Sequence, residues 1–280
     1  MYHNYQYIVA LDLDGTLLDS NKHITPRTKA ALNAAYQIGA AIVPSTGRMI
    51  SALGKEIEAQ PFIQYAITIN GAQVVDIVSQ KALHYDEIPY DLVMDLFNFL
   101  DDLPAIYDCY QNNWGWMDSK FYSLLDAYIP DVHARELVKR TRSFLPDFHE
   151  QMANRKMSIQ KAQAFFKEIS VRDAMLQVIR DRFPELEVTF ALSNNMEINS
   201  KTATKGNAVS FLAEYLHIPK DNVYVFGDSL NDISMFSQRK YSFAMGNASD
   251  FVKSKANYVT ASNDQDGIAV ALEKYLIKIN

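Results

Sequence analysis

Four aspartates stand in short polar segments that each follow an apolar run. Asp12 and Asp14 belong to the segment DLDGT, and Asp228 and Asp232 belong to GDSLND, far along the chain. A further polar segment, STGR, occupies positions 45–48 between them. Carboxylates brought together repel one another and raise their own pKa values, which a bound divalent cation prevents. Oxygen-only donors favour Mg²⁺, and no histidine or cysteine cluster points to zinc.

The segment STGR and a distant lysine supply groups that bind phosphate. Thr46 offers a hydroxyl, and Gly47 lets the backbone approach an anion closely. Lys205, at the start of a predicted helix, offers a compact positive charge. Together with a metal ion, these groups predict a site for phosphoryl transfer, which needs little else besides an in-line nucleophile. A carboxylate can be that nucleophile and form an aspartyl-phosphate.

The first two aspartates are close enough in sequence to act on one group. In a continuing strand, Asp12 and Asp14 would share one face. Gly15 indicates that the chain already turns there. Two carboxylates beside one phosphorus can divide the work, one ionised and the other protonated when a proton is needed. The spacing alone leaves open which of them takes which part.

Several of these residues also have a structural interpretation. Asp14 could cap a turn, and Asp232 could be an acidic residue favoured by a helix dipole. Lys205 could be an ordinary exposed lysine. Arg48 fits a structural ion pair and a substrate contact equally well. The pair Asn70-Gly71 indicates a turn rather than a ligand site.

The elements that must position these residues alternate between strands and helices. Strands are predicted at 7–11, 40–43, 65–69 and 222–226, and helices at 26–38, 50–59 and 205–217. This alternation predicts an α/β fold with a doubly wound, Rossmann-like parallel sheet and crossover helices. The polar segments follow three of the strands, and ligands of open parallel sheets bind at the carboxyl ends of strands. We therefore expect one shared site.

The alternation weakens after about residue 84 and returns near residue 190. Between them, the pattern predicts a helix at 91–100, a strand at 105–110, and a capping box at 170–173 that begins another helix. We therefore predict a core domain of residues 1–85 and 191–280, with an inserted, smaller α/β cap domain of residues 86–190. Four aromatic side chains of the insert fit either its own core or a substrate pocket, and these are Trp114, Trp116, Phe121 and Tyr122.

The bulk composition is that of an ordinary globular protein. The chain has 280 residues, of which 48% are hydrophobic, and a formal net charge of −6. No basic block indicates a nucleic-acid partner, and no apolar run is long enough to cross a membrane. The N-terminal apolar run lacks the basic stretch of a signal peptide, so a cytoplasmic location is expected by default. The single cysteine, Cys109, is expected to be a buried thiol.

Taken in order, the motifs resemble those of the haloacid dehalogenase superfamily of phosphohydrolases, specifically its Cof-type branch (subclass IIB). The resemblance covers both predicted core segments, and its motifs are Asp12–Thr16, Ser45–Arg48, Lys205-Gly206, Gly227–Asp232 and Ala244–Ala248. This order, with a large insert between the second and third motifs, is very specific. The insert resembles the C2B type of cap, a small α/β domain over the site.

The resemblance implies a role for each matching residue. Asp12 would attack phosphorus, and Asp14 would protonate the leaving oxygen and then deprotonate the hydrolytic water. Mg²⁺ would be bound by Asp12, by the main-chain carbonyl of Asp14 and by Asp228, while Asp232 would orient metal-bound water. The candidate phosphate- or substrate-binding residues are Thr46, Gly47, Arg48, Lys205 and Asn231.

The sequence therefore predicts an Mg²⁺-dependent phosphatase that acts on small phosphorylated metabolites, such as sugar phosphates, through an aspartyl-phosphate. One alternative is a phosphomutase, which would return the phosphate to a sugar. Another is a non-catalytic binding protein that retains the fold. An acidic residue at position 14 resembles the phosphatases and phosphomutases, whereas ATPase relatives carry Thr there. The physiological substrate, the cap residues that select it and the oligomeric state are left open.

Overall fold

The computed structural model describes residues 5–190, 192–237 and 239–277, which form two compact units. The first unit combines the chain up to Tyr85 with the chain from Thr204 onward, and the second is Asp86–Ala203. The strands, numbered along the chain, are β1 (Tyr7–Leu11), β2 (Ala40–Pro44), β3 (Tyr65–Thr68), β4 (Gln73–Asp76), β5 (Lys81–Tyr85), β6 (Ala105–Gln111), β7 (Trp114–Asp118), β8 (Arg142–Leu145), β9 (Lys161–Phe166), β10 (Leu186–Thr189), β11 (Asn195–Ser200), β12 (Val223–Gly227), β13 (Tyr241–Ala244) and β14 (Tyr258–Val259).

The helices connect these strands in both units. The α-helices are α1 (Pro26–Gln37), α2 (Lys55–Glu58), α3 (Tyr90–Asp101), α4 (Leu125–Tyr128), α5 (Val132–Thr141), α6 (Phe148–Arg155), α7 (Ile169–Arg182), α8 (Lys205–Tyr215), α9 (Ile233–Phe236), α10 (Asp250–Lys253) and α11 (Gly267–Leu272). Short 3₁₀ segments include Ile50–Ala52, Ile69–Gly71 and Leu230–Asp232, and a π-helical turn at Glu273–Ile277 continues α11. No helix in the described part of the chain is long and apolar enough to cross a membrane.

A five-stranded parallel sheet organises the first unit, in the order β14-β13-β12-β1-β2. β1 lies between β12 and β2, with Ala10 opposite Val225 on one side and Val43 on the other. Isolated parallel bridges, including Ser45–Ile67, connect the β2 side to the antiparallel sheet β3-β4-β5. Because the five strands run the same way, their carboxyl ends lie at one edge, where the predicted site residues follow.

Side chains of β1 alternate between two hydrophobic clusters, one on each face of the sheet. Val9 and Leu11 pack in the cluster that contains residues of α1 and α11. Ile8 and Ala10 pack in the other cluster, which contains residues of α8. Strands covered on both faces are continuous apolar runs, as YIVAL is. The predicted doubly wound α/β core is confirmed.

Two helices of the first unit show how local signals act. α1 begins as predicted, because the Thr25 hydroxyl accepts a hydrogen bond from the backbone N–H of Thr28 and Pro26 occupies the first helical position. The single helix predicted over 50–59 is wrong. A 3₁₀ segment at Ile50–Ala52 and the short α2 replace it, because Gly54 between them has a φ of 92° and ends the helical path.

The second unit is built on a six-stranded sheet in the order β10-β11-β9-β6-β7-β8. α7 covers the predicted range, but the predicted capping box is absent. Its N-cap is Glu168, which makes no side-chain capping bond, and Asp173 accepts a hydrogen bond from Arg172 instead. Phe121 is buried in the unit's core and Trp116 packs against it, whereas Trp114 and Tyr122 are exposed. Cys109 is buried as expected.

The chain returns to the first unit later than predicted. The boundary predicted after residue 190 would assign β11 to the core domain and not to the insert. β11 pairs with β9, with Ile198 opposite Ala162, and the second unit therefore extends to Ala203. The extra length belongs to the insert because these hydrogen bonds complete its sheet.

Candidate active site

The polar segments after β1 and β12 bring three acidic side chains together. Carboxylate oxygens of Asp12, Asp228 and Asp232 lie within 4.8 Å of one another. Asp12 directly follows β1 and Asp228 directly follows β12, and these strands are parallel neighbours. Sheet pairing therefore joins residues that the chain separates widely.

Lys205 lies between two of these carboxylates. Its Nζ donates to Oδ1 of Asp12 and to Oδ1 of Asp232, at 2.6 Å in each case. The Lys205 side chain is fully buried. Burial opposes the charged form, but the two carboxylates outweigh it and raise the pKa of Lys205 above its ordinary value. The alternative that Lys205 is an ordinary exposed lysine is therefore excluded, and Lys205 is a fixed positive charge.

Gathering the carboxylates raises their affinity for protons. Burial raises the pKa of Asp12 to about 7, Lys205 opposes this rise, and the charges of Asp232 and Asp228 add to it. Burial also raises the pKa of Asp228, although the Thr16 hydroxyl donates to its Oδ1 at 2.8 Å. A donor set of carboxylate oxygens whose mutual repulsion is incompletely balanced fits a hard divalent cation.

Asp232 also holds the loop that carries Asp228. Its Oδ2 accepts hydrogen bonds from the backbone N–H groups of Asp228 and Ser229, both at 2.9 Å. The Ser229 side chain reciprocates, which makes a capping box at the start of the 3₁₀ segment Leu230–Asp232. Asp232 therefore both caps the start of this helical segment and belongs to the acidic cluster.

The Asp14 carboxylate is bound by two cations. Nη2 of Arg48 lies 2.6 Å from its Oδ2 and Nζ of Lys22 lies 2.8 Å from its Oδ1. Burial alone would raise the pKa of Asp14, but the hydrogen bonds and charges of Lys22 and Arg48 outweigh it, so this pKa lies below its ordinary value. The ion pair that was one of the two alternatives for Arg48 is therefore present. This arrangement favours the ionised form of Asp14.

The segment after β2 forms a compact turn beside the end of β3. Thr46 is buried, and its hydroxyl accepts a hydrogen bond from the backbone N–H of Arg48 at 3.2 Å. A Cβ on Gly47 would lie 2.8 Å from Oδ1 of Asn70, so a side chain there would displace Asn70. Asn231 donates from Nδ2 to the same oxygen of Asn70 at 3.3 Å. The backbone N–H of Asn70 donates to the Thr46 carbonyl oxygen, so Asn70 links the second and fourth motifs.

Asn70 lies beside predicted site residues, although the sequence pattern assigned it only to a turn. The turn is present, since Asn70 has a φ of 59° and Gly71 a φ of 103°. Asn70 is nevertheless buried between Gly47 and Asn231. The sequence could have indicated this position of Asn70, because Asn70 closely follows β3, just as the other polar segments follow their strands.

Two asparagines anchor the loop that follows Asp12. Asn247 donates to the carbonyl oxygen of Gly15 at 2.8 Å, and Asn263 donates to that of Leu18 at 2.9 Å. Gly15 has a φ of 86°, and a Cβ there would lie 2.6 Å from Oδ2 of Asp228. The turn after Asp12 therefore requires glycine, because any side chain would meet the acidic cluster.

The raised pKa of Asp12 leads to a stability prediction for the metal-free protein. In the unfolded chain this pKa is about 3.9. The stabilisation linked to the raised pKa is fully present below about pH 4 and is lost as the pH rises through about 7. We expect the Asp12→Asn variant, which cannot ionise there, to become more stable relative to the parent protein over this range, by at most about 4 kcal/mol. Urea unfolding of both proteins in EDTA at pH 5 and pH 8 measures the change, and a constant difference would contradict it.

Fold and site together define an α/β enzyme with an acidic, lysine-bridged centre at the carboxyl edge of a parallel sheet. The model of the haloacid dehalogenase-like hydrolase family matches residues 9–272, and the chain belongs to this family.

Relatives of known name agree with this assignment. The chain is 28% identical over 274 residues to 5-amino-6-(5-phospho-D-ribitylamino)uracil phosphatase YcsE of Bacillus subtilis (strain 168), covering 96% of each chain. It is 28% identical over 277 residues to pyridoxal phosphate phosphatase YbhA of Escherichia coli (strain K12), covering 96% of this chain and 98% of the relative.

A solved structure supports the fold. The subclass IIB sugar phosphatase BT4131 of the same superfamily superposes with a TM-score of 0.78 at 23% identity, covering 97% of this chain and 99% of that one. The predictions of the family, of the α/β fold with an insert and of phosphatase activity are confirmed by these comparisons.

Proposed function

We propose that the protein is an Mg²⁺-dependent phosphatase that hydrolyses small phosphorylated metabolites, sugar phosphates or related compounds, through an aspartyl-phosphate on Asp12. One observation carries this proposal. Lys205, fully buried, bridges Asp12 and Asp232 at 2.6 Å, and Asp228 completes a cluster of three carboxylates. This arrangement puts a nucleophile, a phosphate-binding cation and a set of oxygen donors at one point.

In this proposal, Asp12, Asp228 and the main-chain carbonyl of Asp14 would hold the metal ion, and Asp232 would orient the water bound beside them. When bound, Mg²⁺ supplies positive charge that neutralises the phosphoryl oxygens and the crowded carboxylates. The charge and hydrogen bond of Lys205 lower the pKa of Asp12 and so favour its ionised, nucleophilic form. The chemistry of the acidic cluster supports this cation, since its donors are all carboxylate oxygens.

The reaction has two halves. An oxygen of Asp12 attacks phosphorus and the bond to the leaving oxygen breaks, while Asp14 gives that oxygen a proton. This step requires Asp14 to take up a proton first, against the charges of Arg48 and Lys22. Asp14, now a carboxylate, takes a proton from the water that attacks the aspartyl-phosphate, which frees Asp12 and releases phosphate. The ion pairs with Arg48 and Lys22 hold Asp14 in the form needed for the second half. Thr46, Gly47, Lys205 and Asn231 bind the transferred group.

Two relatives support the proposed substrate class. The two relatives named above act, by their names, on different phosphorylated small molecules. We propose that the second unit, Asp86–Ala203, serves as the cap domain that selects the leaving group. Differences in this unit would then change the substrate without changing the chemistry.

Release of inorganic phosphate from a panel of phosphorylated metabolites tests the function. With Mg²⁺, at least one small phosphomonoester should be hydrolysed without a bisphosphate activator, which a phosphomutase would need. EDTA should lower the rate by on the order of 10²-fold or more, and added Mg²⁺ should restore it. Zn²⁺ in place of Mg²⁺ tests the choice of metal. Activity that is unchanged by EDTA, or no hydrolysis of any phosphoester, would overturn the proposal.

A further inference from the structure

A cavity of about 330 Å³ lies in the first unit and is lined by none of the residues assigned to phosphoryl transfer. Its wall is formed by α8, by the chain around α9 and by residues that follow each of these helices. Its polar side chains include Ser210, Glu214, Lys220, Ser237 and Arg239. The volume is at the lower end of the range for small-molecule sites.

Arg239 is the unusual residue of this wall. Its relative exposure is 8%, and no carboxylate in the described part of the chain forms an ion pair with it. Nη2 donates to the Ser210 hydroxyl at 2.5 Å, but the buried Nε has no hydrogen-bond partner among residues 5–190, 192–237 and 239–277. Burial lowers the pKa of Arg239, with no carboxylate to offset it. Buried charges are ordinarily paired, so this guanidinium lacks an anion.

The remaining charges of the wall leave the cavity positive. Lys220 and Glu214 are both exposed, and Arg239 adds a second cation. Ser237 places a hydroxyl group on the same wall, whereas the Ser210 hydroxyl already donates to the Gly206 carbonyl oxygen. A guanidinium without a carboxylate partner, beside a hydroxyl donor, matches the tetrahedral oxyanion of a phosphate group.

We propose that this cavity is a second, metal-independent binding site for the phosphate group of a small molecule, with Arg239 as its principal ligand. The Nη groups of Arg239 contact the phosphate oxygens, and the Ser237 hydroxyl completes the contact. Lys220 attracts the ligand and Glu214 weakens its binding. The space beyond a single phosphate accommodates a small organic group attached to it.

Calorimetric titration of the full chain with inorganic phosphate in EDTA tests the site. Arg239→Gln should weaken binding by at least about tenfold, since it removes charge-assisted hydrogen bonds. Lys220→Ala should weaken binding and Glu214→Gln should tighten it, each by roughly two- to fivefold. Lys29→Ala, an exposed lysine on α1 that does not line the cavity, is the matched control and should change nothing.

Each outcome decides the proposal. Binding that survives Arg239→Gln and disappears in Thr46→Val would place the anion in the active site and overturn it. If Arg239→Gln fails to fold, as judged by circular dichroism, the opposite shifts of Lys220→Ala and Glu214→Gln decide, and no shift in either would overturn it. Because the titration uses neither metal nor a phosphoester, it can fail while the phosphatase proposal stands. It can also succeed if the phosphatase proposal fails.

Discussion

Asp12→Asn should lower the turnover rate of the phosphatase by about 10⁴-fold or more, because the variant lacks the attacking oxygen while the rest of the site is retained. An amide is a poor nucleophile and cannot form the acyl-phosphate. The loss should appear in kcat, since Lys205 and Thr46 still bind the phosphoryl group. Steady-state phosphate release on the best substrate of the panel, with Mg²⁺ present, measures it.

Two observations keep this result interpretable. Asp221→Asn, at an exposed aspartate of the same unit, should retain the parent rate. Acid-quenched parent protein should yield a phosphorylated peptide that contains Asp12 by mass spectrometry, and the variant should not. Activity of Asp12→Asn within tenfold of the parent would mean that another group attacks phosphorus.

Lys205→Met should destabilise the protein by about 3–5 kcal/mol and abolish activity, because it leaves Asp12 and Asp232 buried without their shared cation. The methionine fills much of the same space, so the loss reports charge rather than a cavity. Urea unfolding in EDTA measures the change. The exposed Lys201, four positions earlier, provides the matched control Lys201→Met, which should cost no more than about 0.5 kcal/mol.

A second substitution separates charge from packing in the Lys205 result. In Lys205→Met/Asp232→Asn, one of the two stranded carboxylates is also removed, so the double variant should be more stable than Lys205→Met alone. Saturating Mg²⁺ should also recover part of the loss. Equal stability of the single and double variants, with no effect of Mg²⁺, would show that the lysine acts only by filling space.

The fold of the core and the proximity of its acidic segments were predictable from the sequence, because both follow from short-range patterns and one topological rule. Apolar runs such as 7–11 must be buried on both faces, and the capping signal of Thr25-Pro26 is local. Once the strands are parallel, the residues that follow them must meet at one edge. Asp12, Asp228 and Asp232 were placed together by this reasoning alone.

The features that the sequence did not reveal depend on partners that only folding supplies. β9 was missed because Lys161 and Gln163 interrupt its apolar pattern, yet both are buried. Lys161 is tolerated there because Nζ reaches Oε1 of Glu197 at 2.7 Å on the neighbouring β11. The ion pairs of Asp14 with Lys22 and Arg48 likewise join side chains whose separation in sequence gives no sign of contact.

The central position of β1 has a consequence for synthesis on the ribosome. β1 ends at Leu11, but the strand on its β12 side begins only at Val223. At roughly 5–20 residues per second, the hydrophobic N-terminal strand emerges about 10–40 s before its neighbour exists. The insert's sheet, complete by Ser200, can form during that wait. Nascent chains of this protein therefore carry an unsatisfied strand edge for most of their translation, and this is the interval in which chaperone binding or aggregation competes with folding.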